Sequence, residues 1–295
     1  MNSSPDRRRL LHERILGWFD HAERALPWRG NATPWAVMVS EFMLQQTPVV
    51  RVLPIFETWM RRWPTPAALA VEPAGEAVRA WGRLGYPRRA MRLHAAATAI
   101  VDHHGGKVPN DRDDLRALPG VGEYTATAVA SFAFDQSHPV LDTNVRRVLA
   151  RLESGVEFPA RSLNAAEREL AHALLPTAAG ARWSAALMEL GALVCTARKP
   201  RCVACPVHDV CVWRLAGYPA FDGPPRRGQT YAGTDRQCRG MLLQLLRDSD
   251  VPVSKSALDA VWNKAAQRER ALDGLVADGL IEPAGDDHFA LPGTQ

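Results

Sequence analysis

The sequence predicts an all-α chain, and three observations carry that expectation. Apolar residues recur at three- and four-residue spacing through most of the 295 residues. Pro and Gly punctuate the periodic segments, as in Arg62-Trp63-Pro64-Thr65-Pro66 and Gly105-Gly106-Lys107-Val108-Pro109. Alternating strand patterns are nearly absent before residue 280.

In chain order, the spacing predicts helices over Leu10–Phe19, Trp35–Leu44, Val49–Trp63, Met91–His103, Thr125–Phe134, Val145–Leu152, Ala165–Leu175 and Ala181–Val194. Composition then shifts to Gly, Pro, Arg and Tyr over Gly217–Thr234, the signature of a linker. Beyond it come helical stretches at Gln237–Leu246, Lys255–Lys264 and Arg268–Asp278. Two short extended pieces follow, Leu280–Glu282 and His288–Leu291, joined by Pro283-Ala284-Gly285-Asp286-Asp287. Three helices and a terminal hairpin predict a small winged helix-turn-helix unit. No internal repeat of fixed period is present.

The length suffices for two domains and a small third unit, and 46% hydrophobic residues suffice for a sizeable core. A net charge of +4 and a pI near 8.9 permit nucleic-acid binding without demanding it. Lysine occurs only at 107, 199, 255 and 264, so arginine supplies almost all the positive charge. Guanidinium forks suit bidentate phosphate contacts, although a GC-rich genome gives the same bias. The N-terminus has no apolar run of signal-peptide length, and no segment has the roughly 20 apolar residues of a membrane span. The expected location is the bacterial cytoplasm, where the five cysteines stay reduced rather than forming disulfides.

Cys195, Cys202, Cys205 and Cys211 are spaced C-x6-C-x2-C-x5-C. Four thiolates this close can surround one metal centre, either an iron–sulfur cluster or structural zinc. Zinc sites more often use two C-x2-C knuckles, and this segment has one. Arg198, Lys199 and Arg201 lie between the first two thiols and are candidates for phosphate contact or plain surface charge. Cys238 stands apart as an ordinary thiol.

Leu118-Pro119-Gly120-Val121-Gly122-Glu123-Tyr124-Thr125-Ala126 joins two helical segments. Leu118, Gly120, Val121 and Gly122 form a helix-hairpin-helix turn, whose glycines let backbone N–H groups approach a DNA phosphate. An ordinary helix connector is the plainer reading.

Two carboxylates stand out. Glu41 sits in Ser40-Glu41-Phe42-Met43-Leu44-Gln45-Gln46-Thr47, preceded by Val37, Met38 and Val39. If buried, its carboxyl would be held protonated near neutrality, as a general acid needs. If it faces solvent, it needs no explanation. Asp142 precedes a helix, where Asp commonly serves as the N-cap. There it would stay ionised and could stabilise a positive sugar.

Together these motifs resemble the helix-hairpin-helix/Gly-Pro-Asp superfamily of DNA glycosylases, and within it the adenine DNA glycosylase (MutY) family. The resemblance spans roughly residues 8–222, through Leu26-Pro27-Trp28-Arg29, residues 40–47, Trp81–Tyr86, residues 118–126, residues 141–151 and Glu189–Cys211. It implies a six-helix barrel at 30–144 and a [4Fe–4S] cluster domain formed by 1–29 and 145–222, with a linker at 223–234 and the winged unit at 235–295. It further implies a monomer acting on double-stranded DNA with an adenine mispair, adenine being flipped into a cleft between the domains. Glu41 would protonate adenine at N7, and Asp142 would stabilise the oxocarbenium-like deoxyribose from the other side of the same bond. Tyr124 and Asn144 match positions supporting this step. Arg24, Trp28 and Arg29 match positions around the adenine pocket, and Gln46 and Tyr86 match residues that wedge into the base stack. Cys195, Cys202, Cys205 and Cys211 match the cluster ligands.

Three departures bear on the resemblance. Pro87 replaces a second tyrosine, Ala185 stands where relatives have Glu or Gln, and the tail lacks the strand-rich, Nudix-like domain that recognises 8-oxoguanine. Relatives like endonuclease III carry lysine at position 124, whose amine allows strand cleavage. Tyr124 cannot form that Schiff base, so the resemblance implies a monofunctional enzyme. The competing readings are an endonuclease III-like glycosylase/lyase for oxidised pyrimidines and a non-enzymatic, cluster-containing regulator.

Overall fold

The computed structural model describes residues 4–223 and 231–294. The expected linker at 223–234 therefore falls largely outside the described residues. The chain is helical, as the periodicity predicts, with α1 (Pro5–Ala22), α2 (Pro34–Leu44), α3 (Val49–Arg62), α4 (Pro66–Ala70), α5 (Ala74–Trp81), α6 (Arg88–His104), α7 (Arg112–Ala117), α8 (Glu123–Phe134), α9 (Thr143–Leu152), α10 (Ala165–Ala173), α11 (Gly180–Leu193) and α12 (Val212–Leu215). The tail adds α13 (Asp235–Arg247), β1 (Val253–Ser254), α14 (Lys255–Ala260), α15 (Ala265–Ala277), β2 (Glu282–Pro283) and β3 (His288–Ala290). Among the described residues, no helix is long and apolar enough to cross a membrane.

The chain divides into two compact units. The first runs through Val37, takes Asn110–Arg112, and resumes at Gly122 to the end of the described residues before the linker. Its core is a contiguous cluster in which Leu11, Ile15 and Phe19 of α1 meet Val145, Val148 and Leu149 of α9 and Trp183, Leu187 and Leu190 of α11. These positions repeat at three- and four-residue spacing, so each helix turns one apolar stripe inward.

The second unit holds Met38–Pro109, Asp113–Val121 and the described C-terminal residues 231–294. Trp59, Trp63 and Trp81 form its aromatic centre, with Trp59 edge-on to Trp63 at 4.6 Å and to Trp81 at 5.8 Å. α4 and α5 pack on α6. Both were missing from the sequence reading, because helices of five and eight residues are too short to display a period.

The tail has the helix–strand–helix–helix–strand–strand order of a winged unit, with sheet order β1-β3-β2. β1 was also unexpected: its two residues pair antiparallel with β3, Val253 opposite Phe289. Pro283 is tolerated because β2 is an edge strand and needs no inward N–H from it. The helix expected over Lys255–Lys264 stops at Ala260, and the following one begins at Ala265 rather than Arg268.

Candidate active site

Glu41 lies on α2, in the second unit, only 7% exposed between Ser40 and Phe42, which are fully buried or nearly so. The solvent-facing alternative is therefore excluded. Met38, Val39, Phe42 and Met43 of the same helix are buried with it, and taking a carboxyl out of water is costly. Ordinary packing would favour an apolar residue there.

Asp142 lies in the first unit as the N-cap of α9, so the structural role anticipated for it is real. Its Oδ1 accepts from the Val145 N–H at 2.6 Å, and its Oδ2 accepts from the Asn144 amide at 2.9 Å. Burial pushes the carboxyl above its usual range. The Val145 and Asn144 donors and the charge of Arg147 oppose that push. The ionised state expected at a helix N-terminus is thus contested by burial rather than given by the helix alone. Asn144 is itself held, since its Oδ1 accepts from Arg147 at 2.8 Å. α11 approaches closely here: a Cβ at Gly191 would lie 2.7 Å from that of Asn144. Tyr124 sits in the first turn of α8, about one-third exposed.

Arg24 and Arg29 converge on a residue that sequence reasoning gave no role. Glu189 on α11 is fully buried, and Arg24 reaches it with its main-chain N–H (3.1 Å), Nε (2.6 Å) and Nη2 (2.9 Å). Arg29 Nη2 adds a bond at 2.8 Å. Burial alone would raise the Glu189 carboxyl, but the two guanidiniums outweigh it and hold it down at about 2. The same pairing raises the Arg24 guanidinium. Trp28, in the segment between the two arginines, is 8% exposed.

Gln46 and Tyr86 belong to the second unit and share an unusual backbone. Both have left-handed φ, +54° and +48°, and both are exposed. Arg89 on α6 ties their two turns together. Its Nη1 donates to the carbonyls of Phe42 (2.7 Å), Met43 (3.1 Å) and Gln45 (2.7 Å). Its Nη2 donates to Thr47 Oγ1 and the Gly85 carbonyl, both at 3.0 Å. The guanidinium is 5% exposed, lies over the Trp81 ring, and is pushed down to about 10 by burial, so it stays charged at neutral pH. The available signal was position: Arg89 shares the buried face of α6 with Ala90, Leu93, Ala96 and Ala97.

In the helix-hairpin-helix turn, Leu118 and Val121 are buried and Gly120 has φ +77°. A Cβ on Gly120 would sit 2.6 Å from Arg92 Cβ, so only glycine fits. Gly122 offers α8 no side-chain cap and leaves open space around its Cα, as an anion-binding helix start requires.

Cys195, Cys202, Cys205 and Cys211 are all free and partly buried. Burial and the neighbouring thiols push Cys205 up to about 12, and Cys211 rises for the same reasons. Four thiolates cannot ionise side by side without a cation to neutralise them. Four such donors suit an iron–sulfur cluster or a zinc ion. Arg151, almost fully buried, points Nη1 at Cys195 Sγ (3.4 Å) and at the Thr196 carbonyl (2.8 Å), and lies over the Trp213 ring. Arg198 and Lys199 are exposed, whereas Arg201 is bonded to the Leu193 carbonyl.

Comparison with known proteins places the chain in a family. Residues 39–172 match the family described as HhH-GPD superfamily base excision DNA repair protein, and residues 195–211 match the iron-sulfur binding domain of endonuclease III. The chain accordingly carries a [4Fe–4S] cluster, and the matched segment begins at Cys195, ends at Cys211 and contains Cys202 and Cys205. The adenine DNA glycosylase of Mycobacterium tuberculosis is 53% identical over 290 residues, 97% of this chain and 95% of that one. That of Mycolicibacterium smegmatis is 54% identical over 282 residues, 95% of each. Among solved structures, a thermostable thymine-DNA glycosylase superposes with a TM-score of 0.64 at 28% identity, over 71% of this chain and 97% of that one. A non-covalent endonuclease III–DNA complex shares the fold, with a TM-score of 0.62 at 22% identity, over 73% of this chain and 98% of that one. The chain belongs to the adenine DNA glycosylase family, within the HhH-GPD superfamily of base excision DNA repair proteins.

Proposed function

We propose that this adenine DNA glycosylase is monofunctional and excises adenine mispaired with 8-oxoguanine or guanine, leaving the strand uncut. The observation that carries the reading is the buried Glu41 on α2, a helix whose other residues apart from Ser40 are apolar. Adenine is a poor leaving group as an anion, so a proton delivered to N7 by Glu41 lets it depart neutral. The deoxyribose left behind is cation-like, and Asp142 supplies the opposing negative charge, directly or through a transient bond. Burial raises the Asp142 carboxyl on balance, and the donors from Val145 and Asn144 and the charge of Arg147 offset that push only in part. Tyr124 stands where a lyase presents lysine, and a phenol forms no Schiff base.

Arg24, Trp28 and Arg29 are assigned to the adenine pocket, with Glu189 fixing both guanidiniums. Gln46 and Tyr86 are assigned to the wedge that opens the base stack, and the Leu118–Gly122 turn to a backbone phosphate. The cluster's contribution is a rigid, four-thiolate anchor for the loop carrying Arg198 and Lys199, and no step of the reaction runs through it.

The test is base release from duplexes carrying A:8-oxoguanine, A:G, A:C or thymine glycol, read with and without alkali. The expected result is adenine release that yields strand breaks only after alkali, with no covalent enzyme–DNA adduct trapped by borohydride. Glu41→Gln should abolish release and leave duplex affinity within a few-fold of wild type. Thymine glycol excision with alkali-independent cleavage would replace this reading with the lyase. No release from any duplex would favour a non-enzymatic role.

A further inference from the structure

Residues 235–294 have winged topology, yet α15, the helix that such a unit lays into a DNA groove, is short of available cations. Its Arg268 is engaged inside the unit, donating Nη1 to the Asp259 and Trp262 carbonyls (3.0 and 2.7 Å) and forming an ion pair with the Asp259 carboxylate (2.9 Å). Arg270 faces Asp235 at 3.6 Å, and Asp273 lies on the exposed side of the same helix.

The unit is instead fastened to α5 and α6. Arg79 Nη1, at the end of α5, donates to the Arg247 and Ser249 carbonyls at the end of α13. Arg247 Nε returns a bond to the Val78 carbonyl at 2.9 Å. Gly75 N–H donates to the Pro292 carbonyl at 2.7 Å, where a Cβ would collide with Leu291 and Thr294. Arg88, at the start of α6, pairs with Asp278 at 3.2 Å.

These ties bring the first turn of α13 to Tyr86. The Arg236 guanidinium lies over the Tyr86 ring at 5.3 Å and over the Tyr231 ring at 5.5 Å. Arg89 lies 5.6 Å from the same Tyr86 ring. Tyr86 is thus held by two guanidiniums, one buried and one exposed, while its backbone is left-handed and its side chain stays 47% exposed. An aromatic ring kept both fixed and half-exposed is arranged to meet something outside the protein.

We infer that the C-terminal unit braces the Tyr86 wedge, with Arg236 as its positioning residue, rather than reading DNA through α15. The inference rests on the assignment of Tyr86 to the base-stack wedge. A side chain entering the stack must resist being pushed back by the bases, and a cation on its face supplies that resistance at the cost of no buried charge.

The experiment uses the full-length protein and an A:8-oxoguanine duplex with 2-aminopurine beside the mispair, whose fluorescence rises on unstacking. Arg236 is exposed, so Arg236→Ala should leave thermal stability nearly unchanged. It should weaken preference for the mispaired over the matched duplex by about two- to fivefold, the scale of one exposed cation–π contact. It should also reduce the fluorescence rise, and Arg236→Lys should restore most of both. In a Tyr86→Ala background, Arg236→Ala should add nothing. An Arg236→Ala protein indistinguishable from wild type, or losses that multiply in the double variant, would overturn the brace. Adenine release by wild type is measured on the same duplex. Its absence would overturn the activity itself, whereas release alongside an inert Arg236→Ala overturns only the brace.

Discussion

Arg147 donates from Nε to the main-chain oxygen of Cys195 at 2.8 Å. The same guanidinium reaches Asn144 Oδ1 and the Gly191 carbonyl, each at 2.8 Å, and Asn144 in turn donates to Asp142. One side chain on α9 therefore holds both the main chain of Cys195, proposed as a cluster ligand, and the residue that donates to Asp142. Replacing it with Arg147→Gln removes the fork, takes the donor from the Gly191 carbonyl and leaves the Cys195 carbonyl only the longer bond from Arg151 Nη1 at 3.5 Å, at about 1–3 kcal/mol for a buried carbonyl left unpaired. The expected protein carries less iron per chain and releases adenine at least tenfold more slowly under single turnover. Arg147→Lys keeps the charge but not the fork, and should recover only part of each loss. Iron and sulfide analysis beside single-turnover kinetics checks both. A variant with full iron content and wild-type rate would disconnect the two.

Gly191 tests the Asn144 link without touching a charge. A methyl at this position would lie 2.7 Å from Asn144 Cβ and 3.0 Å from its carbonyl oxygen, too close for either to stay. Since α11 packs along α9, Gly191→Ala must displace the turn that carries Asn144. Overpacking of this kind costs about 1–3 kcal/mol. Single-turnover release should fall about tenfold or more while affinity for the mispaired duplex changes little. A parallel loss of affinity and rate would mean that α11 shifts as a whole.

What was legible in the sequence follows from what a residue's partners are. The cluster was legible because it demands four thiols at short spacing, and the Gly120 turn because it admits no side chain. Glu41 was legible as a carboxyl on an apolar helix, although only the fold decided that it is buried. Arg89, Arg147 and Glu189 were not. Arg89 bonds mainly to main-chain carbonyls more than 40 positions away, and a carbonyl has no residue signature. Glu189 became meaningful only when α11 met Arg24 and Arg29, about 160 positions earlier. β1 was missed for the same reason, since its two residues are a strand only because Phe289 and His288 lie opposite.

The Glu189 cluster gives a pH prediction with a definite sign. Its folded-state carboxyl sits at about 2 against a usual value near 4.5, so its stabilisation is fully present above the unfolded value. It is lost as pH falls from about 4.5 toward 2. The shift corresponds to about 3 kcal/mol. Glu189→Gln should remove that acid-limb dependence and destabilise the protein at neutral pH by about 3–5 kcal/mol, because two guanidiniums lose their shared counter-charge. Denaturant titrations between pH 3 and pH 7 on both proteins provide the check. Parallel curves would show that Glu189 does not titrate with unfolding.

Arg89 separates positioning from simple stability. It holds five oxygen acceptors across two turns, those of Phe42, Met43, Gln45, Thr47 and Gly85. Trp81 Nε1 also donates to Gly85, so the Tyr86 turn keeps one anchor when Arg89 is removed, while the Gln46 turn loses its main one. Arg89→Lys retains a cation on a stem of similar length but cannot bond both turns with a planar fork. The expected cost is about 3 kcal/mol, from carbonyls left without donors in a buried site. A purely structural role would lower stability and leave base release by the folded fraction untouched. A positioning role predicts more: weaker unstacking beside the mispair and slower adenine release at saturating enzyme, both measured well below the melting temperature. Gln46 should become the more disordered of the two turns, detectable as faster amide exchange at 45–47 than at 85–87. Equal exchange in both segments with an unchanged release rate would reduce Arg89 to a packing residue.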